Sequence, residues 1–261
     1  MDASIRELKD GQYTQGSVSR VGRHGAIVRR PAGPWTPAVH GLLRYLESVR
    51  FPGSPRVVES EACGEEVVTY LSGEVAKRPW PECLIADPGI SSLGSFLREY
   101  HRAVQGYVPP ANVMWRIPGV AWRPGHIVRH GDLGPWNTVW NRGTLIGLID
   151  WDFAEPGSPI EDVAQLAWYS VPLHPPGRCE ESGIEPGSSQ RSRFRLLCQV
   201  YGARTIDVLN TVFALQETEI ARTVQFGHEG MFPWNRFLER GDAERINEDM
   251  RWLRSDVGNF R

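Results

Sequence analysis

The segment that most constrains this chain runs from His130 to Asp152. It opens with His130-Gly131-Asp132-Leu133-Gly134-Pro135-Trp136-Asn137 and passes Asn141-Arg142-Gly143. It then enters the apolar run Leu145-Ile146-Gly147-Leu148-Ile149 and ends on Asp150-Trp151-Asp152. The Asn-Arg-Gly stretch predicts a tight turn, and the apolar run predicts a buried strand that delivers Asp150 at its end. A hairpin whose polar residues only cap turns is the plain alternative.

The spacing argues for chemistry. Moving a γ-phosphoryl group needs little covalent help from a protein. It needs a carboxylate to orient the attacking hydroxyl and side-chain oxygens to hold Mg²⁺ against the phosphates. Asp132 suits the first role, and Asn137 with Asp150 suits the second. The catalytic-loop template His-Arg-Asp-Leu, three free positions, then Asn is matched throughout, except that Gly131 stands in place of the arginine.

Composition narrows the alternatives. The 261 residues are 41% hydrophobic and 23% charged, which suits one compact enzyme or two lobes sharing a cleft. A net charge of -2 argues against nucleic acid as a main partner, because phosphate binding needs a concentrated basic surface. No apolar run reaches the length of a membrane span, so no membrane partner is expected. The start Met1-Asp2-Ala3-Ser4-Ile5-Arg6 lacks the apolar core of a secretory signal. Cys63, Cys83, Cys179 and Cys198 have no paired spacing and read as reduced thiols, consistent with a cytoplasmic location. Lys9 and Lys77 are the only lysines, and neither lies on a strand placed to hold phosphates.

Along the chain, Gly16 to Val21 and Ala26 to Arg30 read as two strands joined by Gly22-Arg23-His24-Gly25. This hairpin, with Ser17 on its first strand, could cover phosphates, but it lacks a Gly-x-Gly-x-x-Gly run. Thr36 as cap and Pro37 at the first helical position open a helix with Val39, Leu42, Leu43, Leu46 and Val49 as its buried stripe. Residues 56–60 and 65–71 read as strands, and Tyr70-Leu71-Ser72-Gly73 as the junction whose backbone could grip adenine. Helices are expected over 87–106, from Ser158-Pro159, twice within 190–222, and over 242–253. Residues 174–189 read as a loop rich in Pro, Gly and Glu. Asp162 is a candidate brace for the catalytic loop, or a helix-surface carboxylate.

Strands first, helices later, and the His-x-Asp-Leu…Asn and Ile-Asp-Trp-Asp pair between them resemble the aminoglycoside phosphotransferase and choline kinase family. The resemblance implies an α+β, protein-kinase-like, two-lobed fold, with a small N-terminal β lobe over 1–72 and a larger, mainly helical lobe over 73–261. It further implies ATP as donor with Mg²⁺, Asp132 as the catalytic carboxylate, Asn137 and Asp150 as metal ligands, and His130 as a brace. Arg30, or else Arg29, stands where the family has a phosphate-binding lysine. Val39 and His40 stand where its helix glutamate partner would be. An arginine keeps the charge but reaches differently from a lysine.

The acceptor is expected to be a small molecule. Gly131 removes the arginine that meets a phosphorylated activation loop, little chain separates Asp150 from Ser158-Pro159, and no Ala-Pro-Glu follows. Asp152 and Glu155 are candidates to attract an amine, with Glu217, Glu219 and Glu229 as further carboxylates. Trp136, Trp151 and Trp168 could offer an aromatic face, or pack the core. The sequence does not choose between antibiotic, sugar, amino alcohol and amino acid. A nucleotide-binding pseudokinase without turnover is the alternative that the missing lysine and glutamate favour; a plain interaction scaffold is a third.

Overall fold

The computed structural model describes residues 11, 13–15, 20–59 and 64–260. Ser17 and Cys63 lie outside them. The first part of the chain builds a four-stranded antiparallel sheet in the order β1 (Tyr13–Gln15), β2 (Arg20–His24), β3 (Ile27–Pro31), β4 (Glu65–Thr69). The β2–β3 turn is tighter than the sequence suggested. His24 pairs with Ile27, so only Gly25 and Ala26 remain in the loop, with Gly25 at φ +60°. A two-residue hairpin needs that left-handed conformation, which glycine adopts without a Cβ penalty.

Helix α1 (Thr36–Ser48) crosses between β3 and β4 and buries Val39, Leu42, Leu43 and Leu46. Trp35 rather than Thr36 takes the cap position; the Thr36 hydroxyl accepts instead from the Gly33 amide at 2.9 Å. Val49, expected on the buried stripe, lies just past the helix end and is exposed. The expected strand over 56–60 reduces to one bridge between Val57 and Val68, flanked by bonds from Val58 N to the Val67 carbonyl and from Thr69 N to the Arg56 carbonyl.

Past the Tyr70–Gly73 junction come β5 (Glu74–Val75), α2 (Glu82–Ile85) and the long α3 (Asp87–Val104). Two small antiparallel units follow: β6 (Ile127–Arg129) with β9 (Glu155–Gly157), and β7 (Thr138–Asn141) with β8 (Thr144–Leu148), β5 joining β7 at its edge. Arg142 and Gly143 both have positive φ in the β7–β8 turn, as a type I′ hairpin demands. The rest is helical: α4 (Pro159–Ser170), α5 (Pro176–Glu181), α6 (Ser188–Tyr201), α7 (Thr205–His228), α8 (Trp234–Glu239) and α9 (Asp242–Asp256). Helix α5 falls where a loop was expected. Cys179 and Ile184 anchor that segment in the core, and the Gln190 amide donates to the carbonyls of Pro172 and His174.

The fold is therefore α+β, with a small β-rich part first and a larger helical part after it. One continuous core joins them, running from Leu42 and Leu46 of α1 through Leu97 and Tyr100 of α3 to Val163 and Trp168 of α4. Each fully buried large apolar side chain contributes about 1.5–3 kcal/mol on transfer from water. Arg193 is buried among these helices, and its guanidinium donates to the carbonyls of Ser170, Val171 and Leu84 at 2.9–3.2 Å. It ties α6 to the ends of α4 and α2. No helix among the described residues is long and apolar enough to cross a membrane.

Candidate active site

A cleft of about 1060 Å³ opens under the four-stranded sheet. Val28, Arg30 and Val68 line it from β3 and β4, Tyr70 and Leu71 from the junction, and Asn137 and Asp150 from the β7–β8 unit. The Tyr70 amide donates to the Ala26 carbonyl at 2.8 Å, which fixes the junction to the β2–β3 turn. The Arg23 guanidinium lies over the Tyr70 ring, 3.9 Å from its centroid.

The loop from His130 to Asn137 is held by buried side chains of α4. The Asp162 carboxylate, fully buried, accepts from the amides of His130 at 2.9 Å and Gly131 at 3.3 Å, and takes His101 Nε2 at 3.1 Å. Burial alone would raise its pKa, but the His101 contact, the Arg129 charge and the His130 amide outweigh that and hold it below the ordinary value. One turn later Gln165 accepts from the Leu133 amide at 2.8 Å and donates to the Gly131 carbonyl at 2.9 Å. The sequence reading anticipated Asp162 but not Gln165 or His101.

His130 is buried, and burial lowers its pKa toward the neutral ring. Its Nε2 donates to the Ile149 carbonyl at 3.0 Å and its Nδ1 accepts from the Asp132 amide at 3.3 Å. The ring thus ties the loop to the residue before Asp150. Gly131 has φ +78°, and a Cβ there would lie 1.9 Å from the Phe153 carbonyl oxygen. That contact explains why no arginine stands at this position: the backbone of the next loop fills the space.

Asp132 adjoins the cleft through Asn137. The Asn137 Nδ2 donates to both the carbonyl and the Oδ2 of Asp132, each at 2.9 Å, and the Trp136 side chain also bonds this carboxylate. Burial, and then the neighbouring Asp150 charge, push the Asp132 carboxyl up to about 7. Asp150 itself takes a left-handed conformation, φ 61° and ψ 65°, which is costly for a residue other than glycine and is characteristic of functional loops. Its side chain is nearly half exposed on the cleft wall. Among the described residues no three His, Cys, Asp or Glu side chains gather to hold a metal by themselves. Two hard oxygen donors, Asn137 and Asp150, on one wall fit a cation whose remaining ligands are phosphate oxygens and water.

Arg30 faces these groups from β3. Its guanidinium donates to Glu66 through Nε, to Asp150 Oδ1 at 2.9 Å and to Asp152 Oδ1 at 2.7 Å. Burial works against its charge, but Asp152, Glu66 and Asp150 together hold it more firmly protonated than usual. The helix glutamate that the sequence lacks is supplied by a strand. Glu66 lies opposite Arg30 in the β3–β4 register, and His40 of α1 contacts its other oxygen at 3.1 Å. Arg29 instead pairs with Glu65 near the surface.

The carboxylates expected to attract an amine are otherwise engaged. Asp152 lies between Arg30 and Arg116, the latter at 2.9 Å. Glu155 is buried against Arg129 and accepts from both terminal nitrogens of Arg222, Nη1 and Nη2, at 3.0 and 3.1 Å. Arginines remote in sequence neutralise both, so neither presents a free negative charge. Glu219 is bonded to Arg222, Glu217 to Arg254 at the surface, and Glu229 to Gln225 at the end of α7. Trp151 and Trp168 are core residues, and Trp136 packs edge-on against Tyr169.

The part of this site from His130 to Gln165 falls in a matched region, whereas Arg30, Glu66, Tyr70 and Leu71 lie outside it. A model described as the phosphotransferase enzyme family matches residues 114–197. A trifolitoxin immunity protein from Rhizobium leguminosarum bv. trifolii is 34% identical over 194 residues, 72% of this chain and 72% of that protein. Among solved structures, an amicoumacin kinase in complex with AMP-PNP, Ca²⁺ and Ami superposes with a TM-score of 0.60 at 12% identity, covering 91% of this chain and 88% of that one. A choline/ethanolamine kinase family protein from Mesorhizobium loti gives 0.58 at 16% identity, covering 92% and 88%. The ADP-bound aminoglycoside phosphotransferase APH(2'')-Ib gives 0.57 at 13%, covering 93% of each chain. At these identities the structural likeness speaks for the fold: a protein-kinase-like arrangement.

Proposed function

From the premise that this chain belongs to the phosphotransferase enzyme family, we propose that it transfers the γ-phosphoryl group of ATP, with Mg²⁺, to a hydroxyl of a small molecule. The observation that carries this reading is the bond from Asn137 Nδ2 to the Asp132 carboxylate, beside a cleft wall that presents Asn137, Asp150 and Arg30 together. In this reading residues 1–72 form the nucleotide-binding lobe, with Tyr70 and Leu71 against the base and the β2–β3 hairpin over the phosphates. Residues 73–261 form the catalytic and acceptor-binding lobe.

Asp132 orients the acceptor hydroxyl and takes its proton as the new O–P bond forms and the bond from the γ-phosphorus to the departing ADP oxygen breaks. Asn137 and Asp150 would hold Mg²⁺, which when bound neutralises charge developing on the phosphates. Arg30 exchanges its carboxylate partners for phosphate oxygens, for which a guanidinium fork is well shaped. Asp162, Gln165 and His130 keep the loop in register. Arginine pairing of Asp152 and Glu155 disfavours an acceptor held as a polycation. The designation of the 34% identical relative as an immunity protein favours a toxin as acceptor, inactivated by phosphorylation.

The test is a transfer screen with γ-labelled ATP and Mg²⁺ over aminoglycosides, trifolitoxin, choline, sugars and hydroxy amino acids. Wild type should label at least one acceptor, and Asp132→Ala should label none while still binding Mg-ATP. Binding without transfer to any acceptor would favour a pseudokinase instead.

A further inference from the structure

Asp152 divides its two carboxylate oxygens between two arginines. Oδ1 receives Arg30 Nη2 at 2.7 Å and Oδ2 receives Arg116 Nη1 at 2.9 Å. Arg116 comes from the irregular segment between α3 and β6, and its side chain is only 3% exposed. Its guanidinium is sandwiched between two rings, 4.1 Å from the centroid of Trp35 at the head of α1 and 4.7 Å from that of Phe153 beside Gly131. Such cation–π contacts restrict the plane of the group as well as stabilising it. Among the described residues its buried Nε has no hydrogen-bond partner, and Asp152 is the partner that sets where the charge points.

A burial-driven staple between the lobes would explain the two rings. It does not explain why a second full cation is directed at a carboxylate that Arg30 already contacts. Arg30 is claimed by three carboxylates, Glu66, Asp150 and Asp152. If Asp152 had no other partner, its whole charge would fall on Arg30 in a site of low polarity, where such attraction is strong.

We infer that Arg116 is a positioning residue for nucleotide phosphates: by sharing Asp152 it prevents that carboxylate from capturing Arg30 and leaves Arg30 able to turn to a triphosphate. The inference rests on the phosphotransferase reading given above. It requires no contact between Arg116 and the nucleotide.

The experiment is calorimetric titration of the full chain with Mg-ATP, each variant first checked for a cooperative thermal transition. Arg116→Gln should weaken binding at least about tenfold, and Arg116→Lys, which keeps the charge, should stay within about threefold of wild type. The decisive variant is the double one. Removing the carboxylate charge as well, in Arg116→Gln with Asp152→Asn, should restore affinity to within about threefold, an outcome that a lost staple cannot produce. Binding unchanged in Arg116→Gln, or not restored in the double variant, overturns the inference. Should Arg116→Gln fail to fold, Asp152→Asn alone decides: it should bind Mg-ATP at least as tightly as wild type, and tenfold weaker binding overturns the inference. A wild-type chain that binds no Mg-ATP at all overturns the phosphotransferase reading, and this inference with it.

Discussion

Replacing Asp162 by asparagine tests how the catalytic loop is held. The carboxylate is fully buried and receives three donors: the His130 amide and His101 on Oδ2, and the Gly131 amide on Oδ1. Asparagine offers one acceptor oxygen and one donating nitrogen. In its better orientation it keeps the Oδ2 contacts but sets its NH₂ against the Gly131 N–H, and it loses the charge that strengthens the others. A hydrogen bond to a charged group contributes about 1.5–3 kcal/mol, and an unsatisfied buried donor costs about 1–3 kcal/mol. A loss of about 3 kcal/mol follows, or a fall in Tm of about 6–12 °C for a chain of this size.

The same substitution has a pH signature. Asp162 has its pKa held below the ordinary value, by contacts that outweigh its burial. Its contribution is therefore fully present above the unfolded value of about 3.9 and is lost as pH falls through the lower folded value. The difference in stability between wild type and Asp162→Asn should still be present at pH 5 and shrink as pH falls below about 4. Urea unfolding across that range measures it. A loss under about 1 kcal/mol at pH 7, or a difference that has vanished by pH 5, would refute the argument that this carboxylate fixes the loop.

Further outcomes follow from other contacts. Arg30→Met leaves Glu66 without its guanidinium partner in a buried site, so it should cost about 3–5 kcal/mol in thermal unfolding and weaken Mg-ATP binding in the folded fraction. Gly131→Ala forces a Cβ onto the Phe153 carbonyl at positive φ; it should cost about 2–4 kcal/mol by calorimetry and abolish phosphoryl transfer. Gln165→Leu removes both side-chain bonds to the loop while keeping volume. It should reduce transfer at least tenfold with Mg-ATP affinity within about threefold, read by steady-state kinetics and titration.

What was legible in the sequence was local. The loop from His130 to Asn137 and the hairpin ending at Asp150 are short, so residue spacing alone brings their polar groups to one strand end. Ser158 as cap with Pro159 at the first helical position announces α4 for the same reason. The rest depends on pairings across the chain. Glu66 replaces the missing helix carboxylate only because the β3–β4 register sets it opposite Arg30, and that register is not written in either strand alone. Asp152 and Glu155 looked free because Arg116 and Arg222, which pair with them, lie 36 and 67 positions away. Arg116 sits in a segment without helix or strand periodicity, which carries no pattern to mark it. Gln165 and His101 look like ordinary helix residues until α3 and α4 are packed together.

The most direct measurement is anomalous diffraction from crystals grown with AMP-PNP and Mn²⁺ in place of Mg²⁺. The metal peak should lie within bonding distance of Asn137 Oδ1 and an Asp150 oxygen, with Arg30 turned onto the phosphates and the Asp132 carboxylate facing the γ-phosphoryl group. A metal held elsewhere, or a nucleotide bound with Asp132 turned away from its terminal phosphate, would contradict the proposed chemistry.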